Sequence, residues 1–285
     1  MTNLDQFESA FKSSDKAIYT FNRPRFARVL VVTDLNATGL SGFTEQIRSY
    51  LAVIDGDQVQ WDALTADDFQ SVQEVLEQIE KRKPDLIVTY RHLKSNAWQW
   101  PYSLGEYLDV MTQATAVPVL VVPHPDAGRA HSHSLVNTDR VMAITDHLTG
   151  DDALVNMAIG FTATNGTCWL SHVEDQGIFE RYMDTIAKIP QLNTDTARET
   201  IAGQLLKEPT DYVAACQAEI LAQDVPVKME RVVVMGKRII EYREIIEKHK
   251  IDLLVFHTKT ADHLAMNGAA YPLAVGLRQI PLLMI

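Results

Sequence analysis

Two glycines, Gly105 and Gly268, stand where the N-terminus of a helix can bind an anion. Each follows a short apolar run and a loop, and each lies thirteen residues before a proline that opens a second apolar run, Pro118 or Pro281. Glycine lets backbone amides approach a ligand closely, and a helix N-terminus favours negative charge. The spacing predicts two strand–loop–helix–strand units whose loops are candidate binding sites.

Two aspartates point to the same edge of the predicted sheet. Asp34 follows the apolar run Val29–Val32, and Asp146 follows the equivalent run that begins at Arg140. Ligands of open α/β sheets bind at the carboxyl ends of the strands, so Asp34 and Asp146 are candidate ligand contacts. The alternative is a turn aspartate that accepts hydrogen bonds from neighbouring backbone amides.

Four histidines gather around a segment rich in proline, glycine and polar residues. They are His124, His131, His133 and His147. A zinc site would need further ligands in a suitable spacing, and no cysteine or HExxH companion accompanies them. We therefore interpret them as solvated linker side chains and predict no metal site.

Three aromatic residues follow the third predicted strand. Trp98, Trp100 and Tyr102 flank Pro101 and could cover an apolar ligand or a partner protein. Large aromatic side chains are mostly buried in folded proteins. We therefore favour the interpretation that they fill space in the core, and keep the covering role as the alternative.

The elements that position these residues form an internal repeat. Apolar runs alternate with helical periodicity, the pattern of a doubly wound parallel α/β fold. Arg28-Val29 with Thr33-Asp34 recurs as Arg140-Val141 with Thr145-Asp146. We predict an N-terminal arm (1–25), a first domain with about four strands (26–123), a linker (124–137) and a second domain with about five strands (138–285).

Several local features complete the predicted elements. Leu4, Phe7 and Phe11 have the spacing of a short amphipathic helix in the arm. Asp67 or Asp68 is the expected N-cap of the helix before the third strand. Residues 177–223 should be helical, with breaks at Pro190 and Pro209.

Composition limits the classes of function. The formal net charge is -11 and no basic cluster occurs, which argues against binding to nucleic acid or an anionic membrane. No apolar run approaches the ~20 residues of a membrane span, and the acidic N-terminus does not resemble a signal peptide. Two cysteines in unlike contexts suit a reducing compartment. We therefore expect a cytoplasmic protein.

The order and duplication of these elements resemble the universal stress protein family in a tandem arrangement. The resemblance is carried by the strands ending in Val-Val-Thr-Asp34 and Ala-Ile-Thr-Asp146, by Ser171-His172-Val173-Glu174-Asp175, by the strands that follow Asp85 and Asp252, and by the two Gly-x12-Pro units. It implies an adenine nucleotide alpha hydrolase-like fold with strand order 3-2-1-4-5 and a shortened first domain. It also implies that the terminal strands, Val119–Val122 and Leu282–Ile285, pair across a pseudo-twofold; a homodimer is compatible with that arrangement.

Many family members bind ATP through Gly-x2-Gly-x9-Gly-[Ser/Thr] after the fourth strand, and this chain departs from that signature. The positions of the first two glycines hold larger residues, namely Tyr90 and Leu93 in the first copy and His257 and Thr260 in the second. Only the third glycine remains, as Gly105 and Gly268. Glu106 follows Gly105 and would meet a phosphate with like charge, and Ala269 lacks the hydroxyl. We predict no cofactor, and ATP is disfavoured.

The resemblance and its departures together predict a stress-response protein that acts by binding, as an adaptor or regulator of an unidentified protein partner or small ligand. The alternative is a ligand or nucleotide site in the second domain alone, around Asp146, His257, Thr260 and Gly268. Slow nucleotide hydrolysis is a weaker alternative. No GxSxG, Walker or GxGxxG motif occurs to favour an enzyme.

Overall fold

A computed structural model describes residues 19–100, 103–127, 131–145, 148–258 and 270–285. The strands are β1 (Arg28–Val32), β2 (Gln60–Leu64), β3 (Leu86–Tyr90), β4 (Val119–Val122), β5 (Arg140–Thr145), β6 (Thr167–Asp175), β7 (Lys228–Gly236), β8 (Leu253–Phe256) and β9 (Leu282–Met284). The helices are α1 (Ala37–Tyr50), α2 (Val72–Arg82), α3 (Glu106–Ala114), α4 (Asp152–Phe161), α5 (Gln176–Ile186), α6 (Thr194–Ala222), α7 (Arg238–His249) and α8 (Ala270–Gly276). Short 3-10 turns span Asn96–Gln99 and Pro125–Ala127.

The strands form one sheet of nine, in the order β2-β1-β3-β4-β9-β8-β5-β6-β7. All neighbouring strands are parallel except β4 and β9. The mixed α/β class is confirmed, and the C-terminal half has the expected order when its own strands are counted as 3-2-1-4-5. The sheet is continuous from one half to the other, so both halves share one hydrophobic core.

The terminal strands of the two halves pair with each other, as the sequence predicts. Val119 lies opposite Met284, and Val121 lies opposite Leu282 in an antiparallel ladder. Every residue of β4 and β9 is buried, because neither strand is at an edge of the sheet. The pairing removes two exposed edges that would otherwise offer unsatisfied backbone groups to other chains.

In each half, an aspartate makes the same contact with the start of that half's first strand. Asp85, just before β3, contacts the start of β1, and Asp252, just before β8, contacts the start of β5. Asp85 Oδ2 accepts hydrogen bonds from the backbone amides of Ala27 (2.7 Å) and Arg28 (2.9 Å). Asp252 Oδ2 accepts from the amide of Arg140 at 3.0 Å, and the Arg140 guanidinium adds two bonds of 3.0 and 2.9 Å to the same carboxylate. Asp252 is fully buried, whereas Asp85 is exposed. The repeat seen in the sequence is therefore a repeat of contacts.

Local side chains account for where the helices begin, with one correction to the predicted caps. Ser71 caps α2 by accepting from the amide of Glu74, and neither Asp67 nor Asp68 does so. Asp68 instead accepts from the amide (2.7 Å) and hydroxyl (2.8 Å) of Thr65 in the preceding turn. Those hydrogen bonds lower the pKa of Asp68, because they stabilise its charged form.

The predicted helix break at Pro209 is wrong. Helix α6 continues for 29 residues through Pro209, while the break near Pro190 separates α5 from α6. Pro209, Tyr212, Val213 and Cys216 are buried where α6 packs against β6 and β7. Tertiary packing of this apolar face outweighs the loss of one helical hydrogen bond at proline.

The described part of the N-terminal arm packs on the C-terminal half. Tyr19 is buried, and its hydroxyl donates to Asn156 Oδ1 on α4 at 2.8 Å. Its ring meets the edge of Tyr212 on α6, with centroids 6.2 Å apart. The predicted arm helix around Leu4, Phe7 and Phe11 lies outside the described residues. Within the part of the chain that is described, no helix has the length and hydropathy to cross a membrane.

Candidate functional site

A cleft of about 300 Å³ opens at the carboxyl edge of the N-terminal half. Strand β1 pairs with β2 on one side and with β3 on the other. The connections on the two sides of β1 therefore leave it in opposite directions along the sheet. Such a switch point leaves a crevice that can accept a ligand. Asp34 and Leu35 after β1, Tyr90 at the end of β3, and His124 and Asp126 after β4 contribute to its wall.

Asp34 is fixed within the cleft by hydrogen bonds from two neighbouring segments. The Tyr90 hydroxyl donates to Asp34 Oδ1, and the backbone amide of Lys94 donates to Oδ2 at 2.6 Å. The Tyr90 oxygen in turn lies 2.7 Å from the hydroxyl of Thr33. Burial, followed by the bond to Asp34, raises the pKa of Tyr90, so this phenol stays protonated and acts as a donor.

Lys94 lines the cleft, but its ammonium group is already engaged. Its Nζ donates to the carbonyl oxygen of Ala66 at 2.8 Å, to that of Phe69, and to Gln70 Oε1 at 3.3 Å. The same atom lies 4.6 Å from the centre of the Phe69 ring. The side chain thus ties the loop after β3 to the segment between β2 and α2, and its donors are directed to protein oxygens.

An aromatic stack forms another wall. The rings of Trp98 and His124 are nearly parallel at 18°, with centroids 4.9 Å apart, and the His124 ring meets Tyr90 edge-on at 4.8 Å. Burial lowers the pKa of His124, while the carboxylates of Asp126 and Asp34 act in the opposite direction. His124 Nδ1 accepts from the amide of Asp126 at 3.2 Å, which is compatible with a neutral ring. His124 is therefore a half-buried part of the cleft and not a solvated linker side chain.

The aromatic residues predicted to pack differ from one another in exposure. Trp98 is half-buried against His124, whereas Trp100 is 60% exposed, so packing in the core is wrong for Trp100. Tyr102 lies outside the described residues. Trp98 lines the cleft, the position expected of a residue that covers a ligand.

Gly105 is required for close backbone packing, and acidic residues follow it in the first turn of α3. Its φ of 94° is one that side-chain-bearing residues rarely adopt. A methyl group at this position would lie 2.8 Å from both the amide nitrogen and Cα of His92. The first turn of α3 carries Glu106 and Asp109, which oppose a phosphate electrostatically. The first turn of α3 is therefore electrostatically unfavourable for a phosphate group.

The second predicted site is described only in part. His257 lies just beyond β8, and its Nε2 is 2.9 Å from each carboxylate oxygen of Asp151, the N-cap residue of α4. The Thr145 hydroxyl at the end of β5 lies 3.5 Å from Asp151 Oδ2. The other predicted site residues of this half, namely Asp146, Thr260 and Gly268, lie outside the described residues.

Asp34 lies at the carboxyl edge of the sheet, as its place after a strand predicts, but most of its neighbours in the cleft were not predicted. Lys94, Ser95, Asn96 and Asp126 belong to loops whose polar residues have no recognisable spacing. Asp151 is not among the predicted site residues; its place at the start of α4, shortly after β5, is the signal that could have indicated it. His131 and His133 stack on each other at 5.2 Å, and no group of three potential metal ligands occurs among the described residues.

Two arginines join residues 91–100 after β3, the cleft loop, to the C-terminal half of the protein. Arg91 is 4% exposed, and its guanidinium donates to the carbonyl oxygens of Val275 (3.3 Å) and Leu277 (2.7 Å) at the end of α8. Burial, and then the nearby positive charge of Arg278, lower the pKa of Arg91 to about 9. Arg278 donates to the carbonyl oxygen of Trp98 at 3.2 Å. The position of the cleft loop therefore depends on the C-terminal half.

Solved structures share this fold, although no family model and no curated protein matches the sequence. A universal stress protein from Archaeoglobus fulgidus DSM 4304 aligns with a TM-score of 0.52 and 11% identity, over 90% of this chain and 95% of that chain. A putative universal stress protein from Pseudomonas aeruginosa UCBPP-PA14 gives 0.51 and 11%, over 91% and 93%. A functionally unknown protein from P. aeruginosa PAO1 gives 0.51 and 10%, over 91% and 92%. The fold is thus like that of universal stress proteins.

Proposed function

We propose that this chain is a cytoplasmic stress-response protein that acts by binding, without catalysis and without ATP. The observation that carries the proposal is the filled space before α3, where the His92 backbone packs against Gly105. A phosphate there would also meet the carboxylates of Glu106 and Asp109. Both features support a chain that binds its ligand without holding a phosphate at this helix.

The geometry of the remaining cleft supports a binding role. Tyr90 is a hydrogen-bond donor with a raised pKa, and Asp34 already accepts two hydrogen bonds that fix its orientation. Groups held in this way are suited to recognising a ligand in a fixed position. Tyr90 is not arranged to take a proton from a substrate, because its raised pKa keeps the hydroxyl protonated and a general base needs a pKa near working pH.

We further propose that residues 26–123 and 138–285 are two units of the universal stress type, joined by 124–137 and preceded by the arm 1–25. The matching aspartate contacts of Asp85 and Asp252 support this division. So does the antiparallel pairing of β4 with β9, which is the arrangement expected of two units related by an internal pseudo-twofold. Among the described residues, the first unit has four strands and the second has five.

Native mass spectrometry of the purified protein, followed by a thermal shift with Mg-ATP, tests independence from ATP. We expect no adenine nucleotide to copurify and no change in melting temperature. The test is sensitive, because a ligand at a hundredfold excess over its Kd stabilises a protein by about 2.7 kcal/mol. An ATP-dependent shift would contradict the proposal.

Two variants locate the site if such a shift occurs. Loss of the shift in Gly268→Val would assign the nucleotide to the C-terminal half, which is the alternative function. Loss of the shift in Trp98→Ala would assign it to the cleft. The role in stress is tested separately by survival of a deletion strain under starvation, oxidative and heat stress. Restoration of survival by the intact chain supports the proposal, and unimpaired survival of the deletion strain contradicts it.

A further inference from the structure

The lining of the cleft holds two carboxylates and one ammonium group, which leaves an excess of one negative charge. The carboxylates of Asp34 and Asp126 lie on different walls, and none of the ion pairs between described residues involves either of them. Lys94 is the only lysine or arginine among the described lining residues, and its ammonium group donates to oxygens of the segment before α2. The ammonium charge of Lys94 offsets one carboxylate, and its donors are directed away from a ligand, so the net negative charge that remains favours a cation over an anion.

The carboxylate of Asp34 can accept further hydrogen bonds from a ligand. Its two hydrogen bonds, from the Tyr90 hydroxyl and the Lys94 amide, occupy one acceptor position on each carboxylate oxygen. An ionised carboxylate offers about four such positions, so each oxygen keeps one for a ligand. The side chain is half-buried, and a charge-assisted hydrogen bond made there is stronger than one made in open water.

The second feature of the cleft is a flat aromatic surface on its wall. Trp98 is half-buried and lies parallel to His124, which in turn packs edge-on against Tyr90. A planar ring can extend this series of aromatic contacts, and an indole face also attracts a cation. The volume of about 300 Å³ is at the lower end of small-molecule pockets, which span about 300–1,000 Å³. The ligand must therefore be small.

We propose that the cleft binds a small aromatic amine, an organic monocation with one flat ring system and a short side chain ending in an ammonium group. The ammonium group donates to Asp34 and is attracted by Asp126, while the ring packs beside Trp98 and His124. This inference rests on the proposed function, since it takes the cleft as the binding site. It adds the chemical class of the ligand.

Three probes of similar size and different charge test the inference in the full-length protein: 2-phenylethylamine, 2-phenylethanol and phenylacetate. Binding is measured by isothermal titration calorimetry, with ligand-observed NMR for weak affinities. We expect the amine to bind about ten-fold more tightly than the alcohol, because one charge-assisted hydrogen bond replaces a neutral one. Phenylacetate should not bind measurably.

Two substitutions separate the contribution of charge from that of the ring. Asp126 is exposed, so Asp126→Asn should not disturb folding; it should weaken amine binding about two- to five-fold and leave alcohol binding unchanged. Trp98→Ala should weaken both. The matched controls are Asp57→Asn, the same charge change on an exposed residue before β2 at the opposite edge of the sheet, and Trp100→Ala, an aromatic truncation outside the cleft. Neither control should change binding of any probe.

The outcomes distinguish this inference from the proposed function. Equal binding of amine and alcohol, preference for phenylacetate, or no binding of any probe at millimolar concentration would overturn the inference alone. A loss of amine binding in Asp57→Asn equal to that in Asp126→Asn would also overturn it, because the effect would then follow net charge and not the cleft. Binding of ATP overturns the proposed function, whatever the three probes show.

Discussion

Replacement of Gly105 by alanine is the sharpest test of why this glycine is retained. Gly105 has φ 94° and ψ 149°, a conformation that a residue with a side chain rarely adopts. The added methyl group would lie 2.8 Å from the nitrogen and Cα of His92, and 3.0 Å from its Nδ1. Because two of these three atoms belong to the backbone, a side-chain rotation cannot relieve the contact.

The expected loss of stability follows from these two effects. The unfavourable backbone conformation costs about 1–3 kcal/mol. Moving the His92 backbone in a packed region costs about 1–3 kcal/mol more. We therefore expect Gly105→Ala to lower the free energy of unfolding by about 2–6 kcal/mol. Gly42 in α1 is the matched control, since a methyl group there would contact nothing within 4 Å; Gly42→Ala should raise stability by about 0.5–1 kcal/mol.

Urea unfolding followed by far-ultraviolet circular dichroism measures both effects. The midpoint and the slope of the transition give the free energy in water by linear extrapolation. The measurements need no nucleotide, so a loss of stability in Gly105→Ala reports a role in folding alone. A loss of less than about 0.5 kcal/mol with an unchanged slope would refute the packing argument, since surface substitutions commonly have effects of that size.

Two further predictions concern other parts of the fold. Asp252→Asn should cost about 3–5 kcal/mol, because it leaves the guanidinium at the start of β5 without its buried partner, whereas Asp85→Asn at the exposed equivalent should cost about 0.5–1.5 kcal/mol. Equal losses in urea unfolding would contradict the difference in burial. Burial raises the pKa of the Cys168 and Cys216 thiols to about 12, so neither should react with Ellman's reagent until denaturant is added. A labelled thiol in the native protein would contradict this prediction.

The strands were predictable because strands buried on both faces are continuous apolar runs. Strand β3 still extends two residues beyond its apolar stretch, through Thr89 and Tyr90. The Thr89 hydroxyl donates to the carbonyl oxygen of Val32 at 2.9 Å, so its polar atom is satisfied inside the sheet. The extent of helix α6 is equally hard to predict from local sequence, because the helix continues through Pro209. In both cases contacts with distant residues decide the boundary, and local sequence carries no trace of them.

The candidate site was harder to predict than the fold. The position of Asp34 follows from the end of a strand, but its partners come from Tyr90 and Lys94, more than fifty residues away. Trp98 and His124 were each conspicuous in the sequence, yet nothing in their spacing indicates that their rings stack. A binding motif can be recognised when its residues lie in one loop. This cleft is assembled from three loops, so only the folded chain brings it together.

The contacts between the halves make the cleft a property of the complete chain. The Arg91 guanidinium is buried and finds its acceptors at the end of α8, and the carbonyl oxygen of Trp98 accepts from Arg278. A buried cation without partners is strongly unfavourable, so the loop that carries Lys94 and Trp98 can adopt this position only when the C-terminal half is folded beside it. The Tyr50 hydroxyl, 3.0 Å from the carbonyl oxygen of Asp252, adds a contact at the opposite edge of the sheet. The second half therefore takes part in forming the binding cleft of the first.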